Sequence, residues 1–543
     1  MATSNILRGT LLLTAATFLS KLLGMIYVIP FNELVGETGG ALFYYAYNPY
    51  NILLSISTVG VPLAVSKFVS KYNALGDYQT GRRMFKSGLI VMAATGFIAF
   101  LVLYLSAELL ALRIIAKEDS TSGNSVEDIT MVIRMVSFAL IIVPAMSIVR
   151  GFFQGYESMG PTAISQVVEQ IVRIVFLLVA AFLVVNVFQG TIATAVGWAT
   201  FAAFIGAIAS CIVLFIFWKK RKSYLDIQLQ QQATTYDIPT KDLFKELFQY
   251  AGPFVLVGIA TPLYQQIDTL TFNRAMDDIG QGGISEFALG SMNFYSHKLV
   301  IIPVTLAIGL SLATLPALTR SFAEKKRTLM YQQINQSFQI VMLFVLPAVI
   351  GLSLLSNEAY GSLFGLKNID ITSSLLAWYA PVALFFALFT VSSSVLQGIE
   401  QQRFAVVSLT AGILLKILLN VPLIHTFGAK GAIFGTFIAV STAVALNIWR
   451  IKNAVNYRLR ELTKRTMLIV IFTTIMGITV WLTKWLLSFY ITYLDGRMEA
   501  FIILVVSVFI GTAVYLWLSY VSTLLERILG DRVRIFDKVF KRN

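Results

Sequence analysis

The sequence predicts an all-α polytopic membrane protein, and three observations lead to this fold class. Hydrophobic residues make up 57% of the 543 residues and charged residues only 13%, whereas soluble domains are about half apolar and about a quarter charged. The mean hydropathy is +0.76. The apolar residues also fall into runs of about 20 or more, the length that a transmembrane helix needs. A soluble cytosolic enzyme is therefore excluded.

Fourteen such runs follow one another along the chain, and we expect each to form one transmembrane helix. Charge clusters and Gly, Pro or Asn breaks separate them. They cover residues 8–34, 41–66, 84–112, 129–153, 162–187, 191–218, 246–273, 287–319, 329–356, 371–397, 403–426, 430–450, 465–490 and 499–524. The first run is too long for a signal-peptide core and carries Lys21 in its middle, so we expect it to be retained.

Basic residues concentrate in the loops on one side of the predicted membrane. Clusters lie at 219–222, 325–327 and 450–465, whereas the loops between them on the other side are richer in acids. The positive-inside rule places the basic loops in the cytoplasm, and both termini with them. The net charge of +14 then reflects this bias and an attraction to anionic lipid, and no nucleic-acid partner is expected.

An internal repeat is visible at an offset of 243 residues. The segment Gln154-Gly155-Tyr156-Glu157 recurs as Gln397-Gly398-Ile399-Glu400, and the intramembrane Arg173 coincides with Lys416. We therefore predict two pseudo-symmetric six-helix bundles plus two C-terminal helices. The predicted divisions are an N-terminal bundle at 1–218, a cytoplasmic linker at 219–245, a C-terminal bundle at 246–452, helices thirteen and fourteen at 463–525, and a basic cytoplasmic tail at 526–543.

Motifs of soluble-type catalysis are missing from the sequence. It has no zinc-hydrolase H-E-x-x-H, no phosphate-binding G-x-x-x-x-G-K-[ST] and no G-x-S-x-G nucleophile elbow. Cys211 is the single cysteine, which excludes a disulfide within the chain, and His297 and His425 are the two histidines. The sequence therefore predicts neither an enzyme nor a bound cofactor.

Four basic residues lie inside predicted spans: Lys21, Arg173, Lys298 and Lys416. A charge at bilayer depth costs at least about 2.5 kcal/mol, so it normally faces the bundle interior or a water-filled cavity. Two of the four come from each half, and we expect them to converge on a central cleft when the halves face each other. Such a cleft selects an anion. Phosphate suits it well, because Arg offers a bidentate fork and Lys a point charge.

Each of these cations also has a structural interpretation. Any one could extend its ammonium or guanidinium to the membrane interface, and Glu169 precedes Arg173 at the spacing of an intrahelical ion pair. Asp268 is the other acid placed at depth, so the predicted cleft stays positive. Asn420, one turn after Lys416, either joins the polar site or hydrogen-bonds between helices.

Two further features are expected to serve packing and anchoring. His297 is expected to be a helix-packing histidine. An aromatic cluster is expected to form a belt at the membrane interface; its members are Phe43, Tyr44, Tyr45, Tyr47 and Tyr50.

Several motifs resemble those of a known superfamily. The segment Tyr295-Ser296-His297-Lys298-Leu299, followed by Pro303 and Leu315-Pro316-Ala317-Leu318-Thr319-Arg320, is similar to the multidrug/oligosaccharidyl-lipid/polysaccharide (MOP) exporters. Ser20-Lys21-Leu22-Leu23-Gly24 and Tyr47-Asn48-Pro49-Tyr50-Asn51 are similar to the MurJ and SpoVB-like branch of that superfamily.

The resemblance implies a bacterial lipid II flippase in the cell membrane. Such a protein moves the undecaprenyl-pyrophosphate-linked peptidoglycan precursor from the inner to the outer leaflet by alternating access, near the peptidoglycan synthesis machinery. Lys21 and Lys298 match positions where relatives have an essential arginine or lysine, and the charge count adds Arg173 and Lys416 as phosphate partners. The two extra helices are expected to form a groove for the lipid tail.

Three alternatives remain open from the sequence. They are an exporter of another polyprenyl-linked polysaccharide precursor, a multidrug exporter of the same superfamily, and a polyprenyl-phosphate enzyme with catalytic acids on outer loops. The drive is expected to be the membrane potential, or a proton that returns through Asp268 or Glu169.

Overall fold

The computed structural model describes residues 2–58, 61–115, 123–230, 232, 255–457 and 460–529. Every regular element in these ranges is a helix. Contacts divide the chain into two compact units, Met1–Arg274 and Ala275–Asn543. Much of the predicted linker at 219–245 and most of the predicted tail at 526–543 lie outside the described residues, and the predicted domain boundaries stay predictions.

In the described part of the chain, the helices of unit 1 with defined bounds are followed by one helix that crosses the unit boundary. They are α1 (Ala2–Ile26), α2 (Val28–Thr58), α3 (Val61–Ala74), α4 (Tyr78–Ile114), α5 (Val126–Ser137), α6 (Ala139–Gly155), α7 (Met159–Phe182), α8 (Ile192–Gln230) and α9 (Ala260–Asp278). A π-helical turn, Leu183–Val187, extends α7. Local sequence explains several starts: the Asp77 side chain accepts from the Thr80 amide before α4, and Ser125 and Asp128 form a capping box on α5.

Unit 2 contains the remaining helices. They are α10 (Ser285–Gly290), α11 (His297–Ala323), α12 (Arg327–Leu354), α13 (Ser356–Phe364), α14 (Ile369–Tyr379), α15 (Val382–Gly398), α16 (Gln402–Phe427), α17 (Ala429–Val455), α18 (Arg460–Leu487), α19 (Arg497–Val521) and α20 (Leu524–Leu529). A π-helical turn, Ser291–Ser296, joins α10 to α11.

Within the described ranges, eleven helices are long and apolar enough to cross a membrane, and twelve if a bent pair counts as one span. Those eleven coincide with eleven of the predicted runs. The bent pair, Ala15–Ile26 with Val28–Thr58 at 42°, covers most of the first and most of the second predicted run. The all-helical, multi-span fold is confirmed, but the count of fourteen is not.

The seventh predicted run, 246–273, differs most from its prediction. Its first part lies outside the described residues, and its described helix, α9, has a polar face that faces other helices of unit 1. Asn48 donates to Gln266 Oε1 at 2.9 Å, and Asn273 donates to the Tyr45 hydroxyl at 2.8 Å. Such side chains make α9 less apolar than the spanning helices, and these two find hydrogen-bond partners on α2.

Candidate functional site

Arg173 lies on α7 of unit 1, beside polar side chains of α2 and of the residue between α1 and α2. Its side chain is half-buried, and its guanidinium donates to the Gln170 amide oxygen and to the Tyr47 hydroxyl. The hydroxyls of Tyr27 and Tyr50 lie close enough to interact with it electrostatically. The guanidinium therefore lies among neutral hydrogen-bonding groups, with the Glu169 carboxylate also near enough to interact with it.

The aromatic cluster on α2 forms part of this packed interior. Phe43, Tyr44, Tyr45 and Tyr50 are all buried, and the rings of Phe43 and Tyr47 stack with centroids 4.3 Å apart. The prediction of an interfacial belt is therefore wrong. Spacing alone cannot distinguish a lipid-facing aromatic from one that packs against a neighbouring helix.

Glu169 pairs with a residue that the sequence interpretation did not include. Its carboxylate accepts from Arg150 on α6 at 2.7 Å, and Arg150 also donates to Ser165 and to Ser210. The expected Glu169–Arg173 ion pair is not formed. The Glu169 carboxylate still interacts with Arg173 electrostatically, but its direct hydrogen bond is with Arg150. The sequence does contain an indication of this ion pair, because Arg150 and Glu169 lie in consecutive predicted spans.

Small residues bring the neighbouring helices close to α7 at this level. A Cβ on Gly206 of α8 would lie 2.9 Å from the Glu169 carbonyl oxygen and 3.0 Å from the Arg173 Cβ, and one on Gly24 of α1 would lie 3.1 Å from the Gln170 amide nitrogen. Glycine at these two positions therefore permits the close helix approach that places Arg173 beside the aromatic cluster.

Lys21 lies on α1, the helix that contacts α7. Thr17 donates to the Gln166 amide oxygen at 3.4 Å one turn before it, and the Lys21 side chain is exposed. The structure thus places two of the predicted cations, Lys21 and Arg173, on contacting helices of unit 1. Asp268 on α9 is 2% exposed in the same unit.

Lys298 is the second residue of α11 in unit 2, which begins directly after the π-helical turn Ser291–Ser296. Its ammonium lies 5.7 Å from the centroid of the Phe294 ring, a distance at which a cation is attracted to the ring face. The neighbouring His297 Nδ1 is hydrogen-bonded to the Tyr379 hydroxyl at 2.9 Å, in agreement with the expected packing role. π-Helical turns are rare in proteins, and those that do occur are often found at functional sites.

Lys416 differs from the other three cations because it is fully buried, with 0% of the residue exposed. Its ammonium donates to the Ala432 carbonyl oxygen at 2.8 Å and to the Thr436 hydroxyl at 2.7 Å, both on α17. Asn420, one turn later on α16, is also fully buried. In this conformation no ligand reaches the Lys416 ammonium, and its predicted substrate contact stays a prediction. The predicted meeting of all four cations in one cleft likewise stays a prediction, since two belong to each unit.

Unit 2 also contains an apolar cavity of about 560 Å³ between α11, α12, α18 and α19. Its lining includes Phe344, Leu352, Met476, Val480 and Leu504. A cavity of this size and composition accommodates a hydrocarbon chain.

Two family models match the chain. The polysaccharide biosynthesis protein family matches residues 6–322, and the MatE family matches residues 253–421. The chain is 48% identical over 532 residues to the lipid II flippase MurJ of Bacillus subtilis (strain 168), with 98% of each chain covered.

Solved structures share the fold at low sequence identity. A structure of the lipid II flippase MurJ in an inward closed conformation has a TM-score of 0.66 at 16% identity and covers 96% of this chain and 99% of that one. An inward-facing multidrug resistance transporter of the MATE family, within the MOP superfamily, has a TM-score of 0.60 at 15% identity, over 80% of this chain and 95% of that one. These two likenesses show the fold alone.

Proposed function

Because the chain belongs to the MurJ family, we propose that it is a flippase that moves lipid II from the inner to the outer leaflet of the bacterial cell membrane by alternating access. The observation that carries this proposal is the 48% identity over 98% of both chains to a lipid II flippase. An identity spread over the full length, rather than confined to one segment, favours a common substrate as well as a common fold.

In this proposal the protein is a transporter and not an enzyme. Its transport of lipid II supplies peptidoglycan synthesis, which builds the cell wall. It is a multi-pass membrane protein. We further propose fourteen crossings in two pseudo-symmetric bundles plus two C-terminal helices, with both termini in the cytoplasm and the peptidoglycan synthesis machinery as partner. The basic clusters at 219–222, 325–327 and 450–465 support the orientation.

The proposed binding site for the pyrophosphate uses Arg173, Lys21 and Lys298. Arg173 is the best supported of them, since it lies within a predicted span, where a charge is costly, and contacts the neutral side chains of Gln170 and Tyr47 while the nearby Glu169 is paired with Arg150. A guanidinium can grip two phosphate oxygens at once, whereas the two ammonium groups act as point charges. We leave Lys416 out of this site because its donors are already directed at α17.

The apolar cavity between α11, α12, α18 and α19 is the proposed groove for part of the polyprenyl tail. Gly511 on α19 contributes to its shape, because a Cβ there would lie 2.5 Å from a Val480 methyl group. The tail can then stay in an apolar environment while the headgroup crosses.

The inside-negative membrane potential is the proposed drive. It favours the outward movement of negative charge by about 2.3 kcal/mol per charge per 100 mV. A proton returning through Asp268 is the alternative, and Glu169 is the less suitable carrier because Arg150 holds its carboxylate.

The test is translocation of fluorescent lipid II in proteoliposomes that contain the purified protein. We expect Arg173→Ala and Lys298→Ala to reduce translocation at least about tenfold, since each removes a charge-assisted contact of about 1.5 to 3 kcal/mol. Lys298→Arg is expected to keep part of the activity. Lys452→Ala, which removes an exposed lysine of α17, is the matched control and is expected to transport normally. Normal transport by both alanine variants would contradict the proposed site.

A multidrug exporter of the same superfamily is the second candidate, and the MatE match over residues 253–421 favours it. A cationic drug would be repelled by Arg173 and Lys298, which counts against this candidate. Dye efflux from the same proteoliposomes separates the two functions. Competition by other polyprenyl-linked precursors separates lipid II from another polysaccharide precursor.

A further inference from the structure

Lys416 is the largest charged side chain that the described part of the chain buries completely. It lies in the middle of α16, where an ammonium is costly unless oxygen atoms surround it. Two of these oxygens come from α17: the Ala432 carbonyl at 2.8 Å and the Thr436 hydroxyl at 2.7 Å. Thr436 in turn donates to the Ala432 carbonyl at 3.0 Å, so its lone pairs are directed toward the ammonium.

The α16–α17 hairpin is shaped to form this oxygen-lined cage. Gly428 joins the helices at φ +60°, and a Cβ on Gly431 would lie 2.1 Å from the Leu423 carbonyl oxygen. Deeper in the hairpin, a Cβ on Gly435 would lie 3.1 Å from Asn420 Oδ1 and 3.6 Å from the Lys416 Nζ. Glycine at 435 therefore leaves room for the amide oxygen and the ammonium beside each other.

We propose that the Lys416 ammonium is a tethered monovalent cation that fills a site which the same oxygens would otherwise offer to Na⁺ or K⁺. Carbonyl, hydroxyl and amide oxygens are the groups that replace the water shell of an alkali cation in proteins. The ammonium carries the same charge and donates to two such oxygens, the Ala432 carbonyl and the Thr436 hydroxyl. The packing of the hairpin is thus independent of the surrounding alkali cations. This inference does not rest on the proposed function.

The competing interpretation is that the four-carbon stem of Lys416 merely fills space between the two helices. Lys416→Met distinguishes them, because methionine keeps most of the volume and loses the charge. A tethered cation predicts a fall in melting temperature of about 3 °C or more for this variant. A melting temperature equal to that of the wild type would overturn the proposal.

The second variant, Lys416→Ala, tests the cage itself in the purified full-length protein. Its melting temperature is measured in n-propylammonium, sodium, potassium and choline chloride at equal concentration. We expect a fall in choline that one or more of the three smaller cations reverses by at least half, because they fit the vacated space and choline does not. Lys416→Met is expected to show no such recovery, since its side chain still occupies the space.

The controls are the wild type and Lys452→Ala on the exposed face of α17, whose melting temperatures are expected to be equal in all four salts. If Lys416→Ala melts at one temperature in all four salts, the cage does not bind cations and the proposal is wrong. All readouts are melting temperatures, so a failure here is distinct from a failure to move lipid II.

Discussion

Two helix triplets of the molecule occupy corresponding positions in the internal repeat, but their polar side chains make different contacts. The first triplet is α6, α7 and α8 in unit 1, and the second is α15, α16 and α17 in unit 2. Both α6 and α15 have 17 residues. The turn that follows each contains a glutamate in the left-handed region, Glu157 at φ 56° and Glu400 at φ 60°, and α7 and α16 then begin at corresponding residues.

The buried polar network of each triplet occupies corresponding positions. In unit 1, Arg150 and Glu169 form an ion pair that Ser210 supports. In unit 2, Ser393 replaces Arg150, and Asn447 occupies the place of Ser210 when residues are counted from the start of each helix. Asn447 donates to Ser393 at 3.2 Å. The corresponding helices therefore contain a charged network in unit 1 and a neutral network in unit 2.

Arg173 and Lys416 also occupy corresponding positions, but their surroundings differ. Lys416 enters the cage beside Gly435 and Thr436. The corresponding α8 residues are Trp198 and Ala199, which offer neither the room nor the hydroxyl. Arg173 is instead directed at Gln170 and Tyr47. The comparison shows that the internal repeat places a basic residue at the same position of α7 and α16. The residues of the neighbouring helices then determine which groups that basic side chain contacts.

The largest expected effect on this comparison comes from Glu169→Gln. The Arg150 and Glu169 side chains are only 17% and 16% exposed, and removal of one partner from a buried ion pair costs about 3 kcal/mol or more. We expect a marked fall in melting temperature, most of which the double variant Arg150→Met/Glu169→Leu restores. A Glu169→Gln variant as stable as the wild type would show that the pair contributes little.

A smaller effect is expected from Asn447→Leu in unit 2. The substitution removes hydrogen bonds to Ser392, Ser393 and Ser408, and loss of such neutral contacts costs about 1 to 2 kcal/mol. Thermal unfolding should therefore rank Asn447→Leu between the wild type and Glu169→Gln. The reverse ranking would remove the distinction between a charged and a neutral network. Asn447→Ser introduces the residue found at the corresponding position of unit 1, Ser210. It is the control and is expected to lower the melting temperature less than Asn447→Leu.

The sequence predicted the helical frame well. Eleven predicted runs coincide with spanning helices because a run of about 20 apolar residues has few other solutions in a membrane protein. The repeat at 154–157 and 397–400 lies where the structure has matching turns. The seventh run was harder to interpret because α9 carries polar side chains whose partners lie on other helices.

The sequence identifies candidate residues of the site, but it does not predict which partners those residues contact. Glu169 had a plausible partner four residues away, yet Arg150 holds it, because contacts between α6 and α7 outweigh spacing within one helix. The aromatic residues of α2 were placed at the interface and are buried instead. The burial of Lys416 depends on Gly435 across the hairpin, and no pattern within α16 contains that information.

The measurement that tests the account most directly compares Arg173→Met with Lys416→Met, two neutral substitutions at corresponding positions, for both lipid II translocation and melting temperature. We predict that Arg173→Met loses translocation while its melting temperature stays close to that of the wild type. Lys416→Met should instead melt at a lower temperature and translocate normally per folded molecule. Normal translocation by Arg173→Met, or its loss in a fully stable Lys416→Met, would contradict the account.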